Sequence, residues 1–258
     1  MNRWAGRTAI VTGASSGIGA AIAKLLTQHG LNVVGVARRE DRVQELAEEL
    51  KKEGTKGKLH TIKGDVSKEE DIKNVVKWTR ENLGGADVLV NNAGVAPTAV
   101  LHRFRTENIR KIYETNVIGL AVFTREVVQD MRARGVDDGH VIHINSISGH
   151  SIIQMRGIYP YSGSKHAVTV LTEGLRRELV ELKSKIRVTS ISPGLVRTGI
   201  MVATGAPPDV AEQMYNSVPC LEAKDVADAL IYALSTPPHV QVHEIIIHPT
   251  GEDLNSSL

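Results

Sequence analysis

Two side chains four residues apart, the phenol of Tyr161 and the ammonium of Lys165 in Tyr161-Ser-Gly-Ser-Lys165, have the types needed to move a proton. On a helix that spacing puts both on one face. A phenol with an ordinary pKa of about 10 is a weak acid and base at neutral pH, and a nearby cation favours its ionised form and lowers that value. Such a pair taken alone is more often structural, so its surroundings decide. Directly after a short β-branched run stands Thr12-Gly-Ala-Ser-Ser-Gly-Ile-Gly19. Gly13, Gly17 and Gly19 permit a tight turn and a close backbone approach, and Ser15, Ser16 and Ile18 carry the chain into a helical pattern. Strand, glycine loop and helix in that order leave free N–H groups where a pyrophosphate would be stabilised. At the end of the next strand, where an acidic side chain would take the ribose hydroxyls of NAD, the sequence has Ala37-Arg38-Arg39. Two guanidinium groups suit a 2′-phosphate, so the expected cofactor is NADP(H). Asp65-Val66 follows the third strand, and Asp65 is placed to accept from an adenine amino group, to cap the next helix, or both.

The elements that must hold these groups alternate along the chain. Short β-branched runs fall at 8–11, 33–36, 59–62, 88–90, 141–144, 188–191 and 242–247, and helical rhythms lie between them, such as Ile18, Ile22, Leu25 and Leu26 closed by Gly30. Near-continuous apolar strands separated by helices predict an α/β fold: one Rossmann-type doubly wound parallel sheet of about seven strands, with helices on both faces. Residues 1–258 read as a single domain. The charged stretch 38–58 carries Val43, Leu46 and Leu50 on one side and reads as a solvated amphipathic helix. From Thr198 to Cys220 the pattern is irregular and rich in Gly and Pro, which in a compact domain suggests a substrate loop able to close as a lid.

Composition removes several function classes. Lys and Arg number 31 against 29 Asp and Glu, and the signs are interleaved, so no nucleic acid partner is expected. A single cysteine allows no intrachain disulfide, the N-terminus lacks a secretory apolar core, and no run approaches the ~20 apolar residues of a membrane span. A cytoplasmic protein is expected. His243 and His248 resemble a metal pair, but they stand five apart in a predicted strand and would face opposite sides, so no metal is assigned. Cys220 has no basic or His neighbour in sequence and is not read as a nucleophile. Val95, Ala96, Pro97, Ile147, residues 152–155, Leu195 and residues 200–214 would line a mostly apolar pocket, suited to a small apolar alcohol or carbonyl.

Thr12 to Gly19, Asn91-Asn-Ala-Gly94 after the fourth strand, Asn116 in Thr-Asn-Val-Ile-Gly, Ser146 after the fifth, the Tyr161/Lys165 pair and Pro193-Gly194 after the sixth occur together and in order. In this the chain resembles the short-chain dehydrogenase/reductase family over its whole length. The resemblance implies Tyr161 as general acid/base, Lys165 as the cation that tunes it and binds the nicotinamide ribose, and Ser146 as the holder of the substrate oxygen. It further implies Asn116 as the keeper of a water leading to Lys165, and assigns Asn92, Ala93, Gly94, Pro193, Gly194, Val196 and Thr198 to the cofactor, along with Val66. Within the family, the segments from Asp138 to His150, Leu171 to Leu179 and Leu234 to Val242 resemble the insect NADP-dependent farnesol dehydrogenases and the vertebrate dehydrogenase/reductase member eleven. An isoprenoid alcohol such as farnesol is thereby favoured, with steroid hydroxyl/keto or quinone chemistry as the alternative. A non-catalytic NADP(H)-binding sensor or scaffold is the alternative of another class, against which the intact catalytic set argues. A homodimer or homotetramer is implied. One departure is visible: Ser146 precedes Tyr161 by fifteen residues where most members have thirteen, which would point to Ser148. Ser146 is preferred, because it follows the strand directly and stands three residues before Gly149.

The cofactor expectation has a direct check. Replacing Arg38→Asp together with Arg39→Ala is expected to raise the Michaelis constant for NADPH by roughly tenfold or more relative to NADH, as loss of charged hydrogen bonds requires. An unchanged ratio would contradict it.

Overall fold

The structure, a computed structural model, describes residues 1–153, 155–203 and 206–252. From its start the chain alternates strand and helix: β1 (Thr8–Thr12), α1 (Gly17–Gln28), β2 (Asn32–Ala37), α2 (Glu40–Lys52), β3 (Lys58–Lys63), α3 (Glu69–Leu83) and β4 (Val88–Asn91). It continues through α4 (Thr106–Tyr113), α5 (Leu120–Ala133), β5 (His140–Ile144), α6 (Tyr159–Glu181), β6 (Arg187–Pro193) and β7 (Val196–Arg197). The last elements are α7 (Ile200–Ala203), α8 (Pro208–Ser217), β8 (Leu221–Glu222), α9 (Ala223–Ser235) and β9 (Glu244–Ile247). Seven of these strands form one parallel sheet in the order β3-β2-β1-β4-β5-β6-β9. The order reverses between β1 and β4, and in doubly wound sheets a crevice opens there, at the carboxyl ends of the strands.

Because side chains alternate along a strand, each central strand feeds two cores. Ala9 and Val11 pack with Ile22 and Leu26 of α1 and Val226, Leu230 and Leu234 of α9. Ile10, between them, packs with Ile72 and Val75 of α3 and Phe123, Val127 and Met131 of α5. Few aromatics are needed: fully buried Ile, Leu and Val fill most of the volume, with Trp4 donating its indole N–H to Leu234 O at 2.9 Å. In α2, Glu40 and Asp41 lie in the first turn and Lys51 and Lys52 in the last, matching the helix dipole, while Val43 and Leu50 are buried.

Two expectations shift. The last strand begins at Glu244, so His243 and His248 flank it instead of lying within it; His243 Nε2 stands 3.2 Å from Glu173 and His248 Nδ1 2.5 Å from Glu252. The segment from Thr198 to Cys220 is more regular than its Gly and Pro content suggests. It holds α7 and α8, and is framed by the two-stranded ladder of β7 and β8. Pro208 starts α8, a position where the missing N–H costs nothing. No helix among the described residues is long and apolar enough to cross a membrane.

A polar chain crosses the apolar interior beneath the crevice. Asn91 Nδ2 donates to Thr124 Oγ1 at 2.9 Å, Thr124 Oγ1 lies 3.2 Å from His143 Nε2, His143 Nδ1 lies 2.9 Å from Thr172 Oγ1, and Thr172 Oγ1 donates to Val168 O at 2.7 Å. Since the last hydroxyl spends its proton on Val168, it accepts from His143 Nδ1–H, leaving Nε2 to accept from Thr124. His143 is thus held as one neutral tautomer, tying β4, α5, β5 and α6 together. Burial, with Lys165 nearby, pushes its pKa down to about 3.

The sign of the pH effect follows. The unfolded chain protonates His143 near 6.5 while the fold refuses the proton until about 3, so stability is complete above about 6.5 and drains as pH falls. Between pH 7 and 5, urea unfolding of the parent protein is expected to lose about 2 kcal/mol more than that of His143→Asn. Equal losses would mean that His143 is protonated in the fold.

Candidate active site

The glycine loop, Arg38 and Arg39, Asp65, the 92–94 segment and Ser146 each follow the end of a strand of the sheet, whereas Asn116, Tyr161 and Lys165 stand on helical turns. After β1, Gly13 and Gly17 adopt φ of +69° and +55°, the left-handed region that glycine enters without strain. A Cβ at Gly13 would come within 2.9 Å of Asn92 Nδ2, and one at Gly19 would overlap Gly13 O. The glycines therefore let the loop fold flat onto the segment after β4 and keep the start of α1 open. Thr12 is the staple: its Oγ1 accepts from the N–H groups of Asn92 and Ala93, both at 3.0 Å, and its carbonyl accepts from Asn92 Nδ2 at 2.9 Å. Asn92 is thereby spent on holding the loop. Gly94 is exposed beside it.

Arg38 and Arg39 are exposed at the end of β2, and Arg39 Nη2 reaches Ser16 Oγ at 3.4 Å, so a guanidinium overhangs the glycine loop. Asp65 takes a different part from helix capping. Its Oδ1 accepts from the N–H and hydroxyl of Ser67 at 3.0 and 2.8 Å, closing a turn ahead of α3, whose N-cap is Lys68. The carbonyl of buried Val66 abuts Gly119, where a Cβ would clash with it. A backbone cradle that a Cβ at Gly13 or Gly19 would fill, at a helix N-terminus with a guanidinium overhanging it, fits a dinucleotide.

Across the crevice, α6 brings Tyr161 and Lys165 to the end of β5. Lys165 is buried, and its Nζ donates to Ile144 O at 2.8 Å while lying 5.7 Å from the centre of the Tyr161 ring. The Ser146 side chain lies close enough to Tyr161 to favour the ionised form of its phenol. Ser146 Oγ accepts from Ser148 N at 3.1 Å, so the backbone of the turn Ile147–Gly149 orients it. Ser148, the alternative serine, serves through its N–H and is itself buried. Burial pushes the Tyr161 phenol up to about 12, the nearby Ser146 hydroxyl offsetting part of the rise, and pushes the Lys165 ammonium down to about 8. In the protein alone desolvation therefore outweighs the lowering of the phenol expected from the neighbouring cation, since both groups resist charge in a dry site.

Asn116 lies in a π-helical turn, Glu114–Gly119, between α4 and α5. Its Oδ1 accepts from Val95 N and its Nδ2 donates to Val95 O, both at 2.9 Å, and to Ser164 Oγ at 3.1 Å; Ser164 in turn donates to Tyr161 O at 2.6 Å. Both amide N–H groups are engaged, so the side chain fixes the first turn of α6 and the Val95 backbone. The long spacing from Ser146 to Tyr161 is taken up by a loop whose Gly157, at φ +89°, accepts from Ala99 N at 3.3 Å. It bends against the segment after β4 and leaves the Ser146 contact in place.

The far end of the crevice follows β6. Pro193 closes the strand, Gly194 N donates to Ile247 O at 2.8 Å, Val196 is buried in β7, and the Thr198 side chain lies 3.2 Å from where a Gly17 Cβ would sit. Tyr215 of α8 donates its hydroxyl to Thr198 O at 2.8 Å, and Arg197 bonds Glu212, Asn216 and Tyr215 O, pinning α8 to this segment and bringing a cation beside Cys220 that the sequence did not. Of the expected pocket wall, Pro97 and Ile147 are buried, whereas Ile152, Val202 and Val210 are exposed. Gln154, Thr204 and Gly205 lie outside the described residues. Tyr215 and Glu252 escape a motif reading, and Thr12, though it opens the glycine motif, shows its part as the staple only in the structure.

The chain matches the family model described as short chain dehydrogenase over residues 7–208. It is 47% identical to dehydrogenase/reductase SDR family member 11 of Gallus gallus and 48% identical to farnesol dehydrogenase of Aedes aegypti, in each case over 98% of this chain and 99% of the relative. Among solved structures it is similar to the closed form of a serine dehydrogenase complexed with NADP+, with a TM-score of 0.87, 30% identity, and coverage of 96% of this chain and 97% of that one.

The two serines separate by measurement. Ser146→Ala is expected to lower turnover by roughly 10²-fold or more, as loss of a hydroxyl beside Tyr161 and free to hold a substrate oxygen would, and Ser148→Ala by a few fold at most. A larger loss at Ser148 would contradict the geometry.

Proposed function

The chain belongs to the short-chain dehydrogenase/reductase family, a family of oxidoreductases, and from that premise we propose that it uses NADP(H) to interconvert an apolar alcohol and its carbonyl. The observation that carries the reading is the buried Lys165, held by the Ile144 carbonyl beside the Tyr161 ring at the end of β5, where Ser146 follows. When bound, the dinucleotide supplies or takes up the hydride. The protein does the rest. The Gly13–Gly19 loop and the Arg38 and Arg39 rim hold phosphates, with Asp65, Val66 and the 92–94 and 193–198 segments bordering the cofactor. Ser146 Oγ holds the substrate oxygen, and in reduction Tyr161 gives that oxygen its phenolic proton. The phenolate so formed is stabilised by Lys165, which at about 8 still carries its charge at neutral pH. Desolvation strengthens that attraction and aligns the proton transfer. Asn116 keeps the first turn of α6 in register, so that Tyr161 and Lys165 stay aimed together.

For the substrate, similarity to the Aedes farnesol dehydrogenase and the exposed apolar side chains of Ile152, Val202 and Val210 favour farnesol or a similar isoprenoid alcohol. Residues 198–220 act as the loop over that substrate, within one domain spanning 1–258. A cytoplasmic homodimer or homotetramer agrees with the single cysteine and with Val170 and Val180 standing exposed on α6.

The test is consumption or formation of NADPH, followed by absorbance, with terpenoid, steroid and quinone substrates. Farnesol or its aldehyde is expected to give the highest kcat/KM, and Tyr161→Phe to lose roughly 10²- to 10⁴-fold. Full turnover in Tyr161→Phe would falsify the mechanism, and a preference for steroids or quinones would overturn the substrate.

A further inference from the structure

Glu252 sits beyond the last strand, outside every motif, yet its carboxylate faces the 193–198 segment. Its Oε1 accepts from Leu195 N at 2.9 Å, and its Oε2 lies 2.5 Å from His248 Nδ1. A Cβ at Gly194 would come within 2.5 Å of the same carboxylate, so the glycine is what lets it approach. The side chain is only 12% exposed. Around it the backbone is fixed on three sides: Glu252 N donates to Pro249 O at 3.1 Å, closing a turn, Gly194 N donates to Ile247 O at 2.8 Å, and Leu221 N donates to Leu195 O at 2.8 Å. Leu195 thus has its N–H held by the C-terminal turn and its carbonyl held by β8. A carboxylate accepting from a backbone N–H away from bulk water is a strong, directional restraint.

We infer that Glu252 is a positioning residue that sets the pose of the Pro193–Thr198 segment against the nicotinamide end of the cofactor, with His248 orienting its carboxylate; this rests on the NADP(H) reading above. The restraint acts at one end only. The adenosine end is gripped by Arg38, Arg39 and the glycine loop, whereas the Glu252 carboxylate is engaged with Leu195 and His248.

That asymmetry supplies the test. Equilibrium titration with NADPH, read by fluorescence, is paired with titration by adenosine 2′,5′-bisphosphate, which carries the 2′-phosphate and lacks nicotinamide. Glu252→Ala is expected to raise the Kd for NADPH by roughly tenfold or more and to leave that for the bisphosphate within about twofold, as removal of one charged hydrogen bond at one end implies. Glu252→Gln keeps an acceptor for Leu195 N and is expected to recover most of the loss, while His248→Ala gives an intermediate value. Equal weakening of both ligands, or an unchanged Kd for NADPH in a folded Glu252→Ala, would overturn the inference. If Glu252→Ala does not fold, failure of Glu252→Gln to bind NADPH better than Gly194→Ala overturns it instead. Binding of NADH with 5′-AMP in place of the two probes would refute the cofactor choice and leave the same comparison to decide Glu252; binding of neither dinucleotide would refute both.

Discussion

A buried ammonium needs partners, and much of this structure is the means of giving Lys165 its own. It has left water for the end of β5, where the Ile144 carbonyl accepts from it and a phenol stands beside it. An ion without bulk solvent pulls strongly on its neighbours and tolerates little displacement, because the local dielectric is low. Hence the rigidity around it. The first turn of α6 is tied to Asn116 through Ser164, and a later turn to β4, α5 and β5 through Thr172, His143, Thr124 and Asn91. His143 must stay neutral for this: as a second buried cation it would push Lys165 toward deprotonation, and the fixed donors and acceptors around it prevent that.

The same logic divides the crevice into two halves with different chemistry. On the β1–β2 side the protein offers backbone N–H groups, made reachable by glycines, and exposed guanidiniums that water screens. On the β5–β6 side it offers a dry acid/base pair. Thr198 joins the halves, because it lies against Gly17 while its carbonyl is held by Tyr215 of α8. A displacement of α8 would therefore be felt at the glycine loop.

The fold was legible because its signals are local. Seven β-branched runs with helical rhythms between them name the strands, and an aliphatic composition agrees with a sheet buried on both faces. The glycines and Tyr161 with Lys165 were legible because each needs only its own neighbourhood in sequence. What stayed hidden depends on contacts across the chain. Asn116 reads as an isolated motif residue until Val95 and Ser164 are seen to engage its amide. Glu252 meets Leu195 only because β9 lies beside β6. The 198–220 segment looked irregular, since two short helices seated by Arg197 and Tyr215 leave little periodicity of their own. The direction of the Tyr161 shift was also out of reach, because spacing reveals a nearby cation but says nothing of how thoroughly both groups lose water.

Tyr161 and Lys165 form a desolvated pair whose proton affinity a bound cofactor must reset, and the phenol itself can report this. Tyrosine labelled with 13C at Cζ, with the Tyr161 resonance identified by its absence in Tyr161→Phe, can be titrated with and without saturating NADP+. In the protein alone Tyr161 is expected to titrate above its ordinary value of about 10. With the positively charged nicotinamide bound, that value is expected to fall toward neutrality. A Tyr161 that titrates at the same pH in both states, or below about 10 without cofactor, would contradict the desolvated pair.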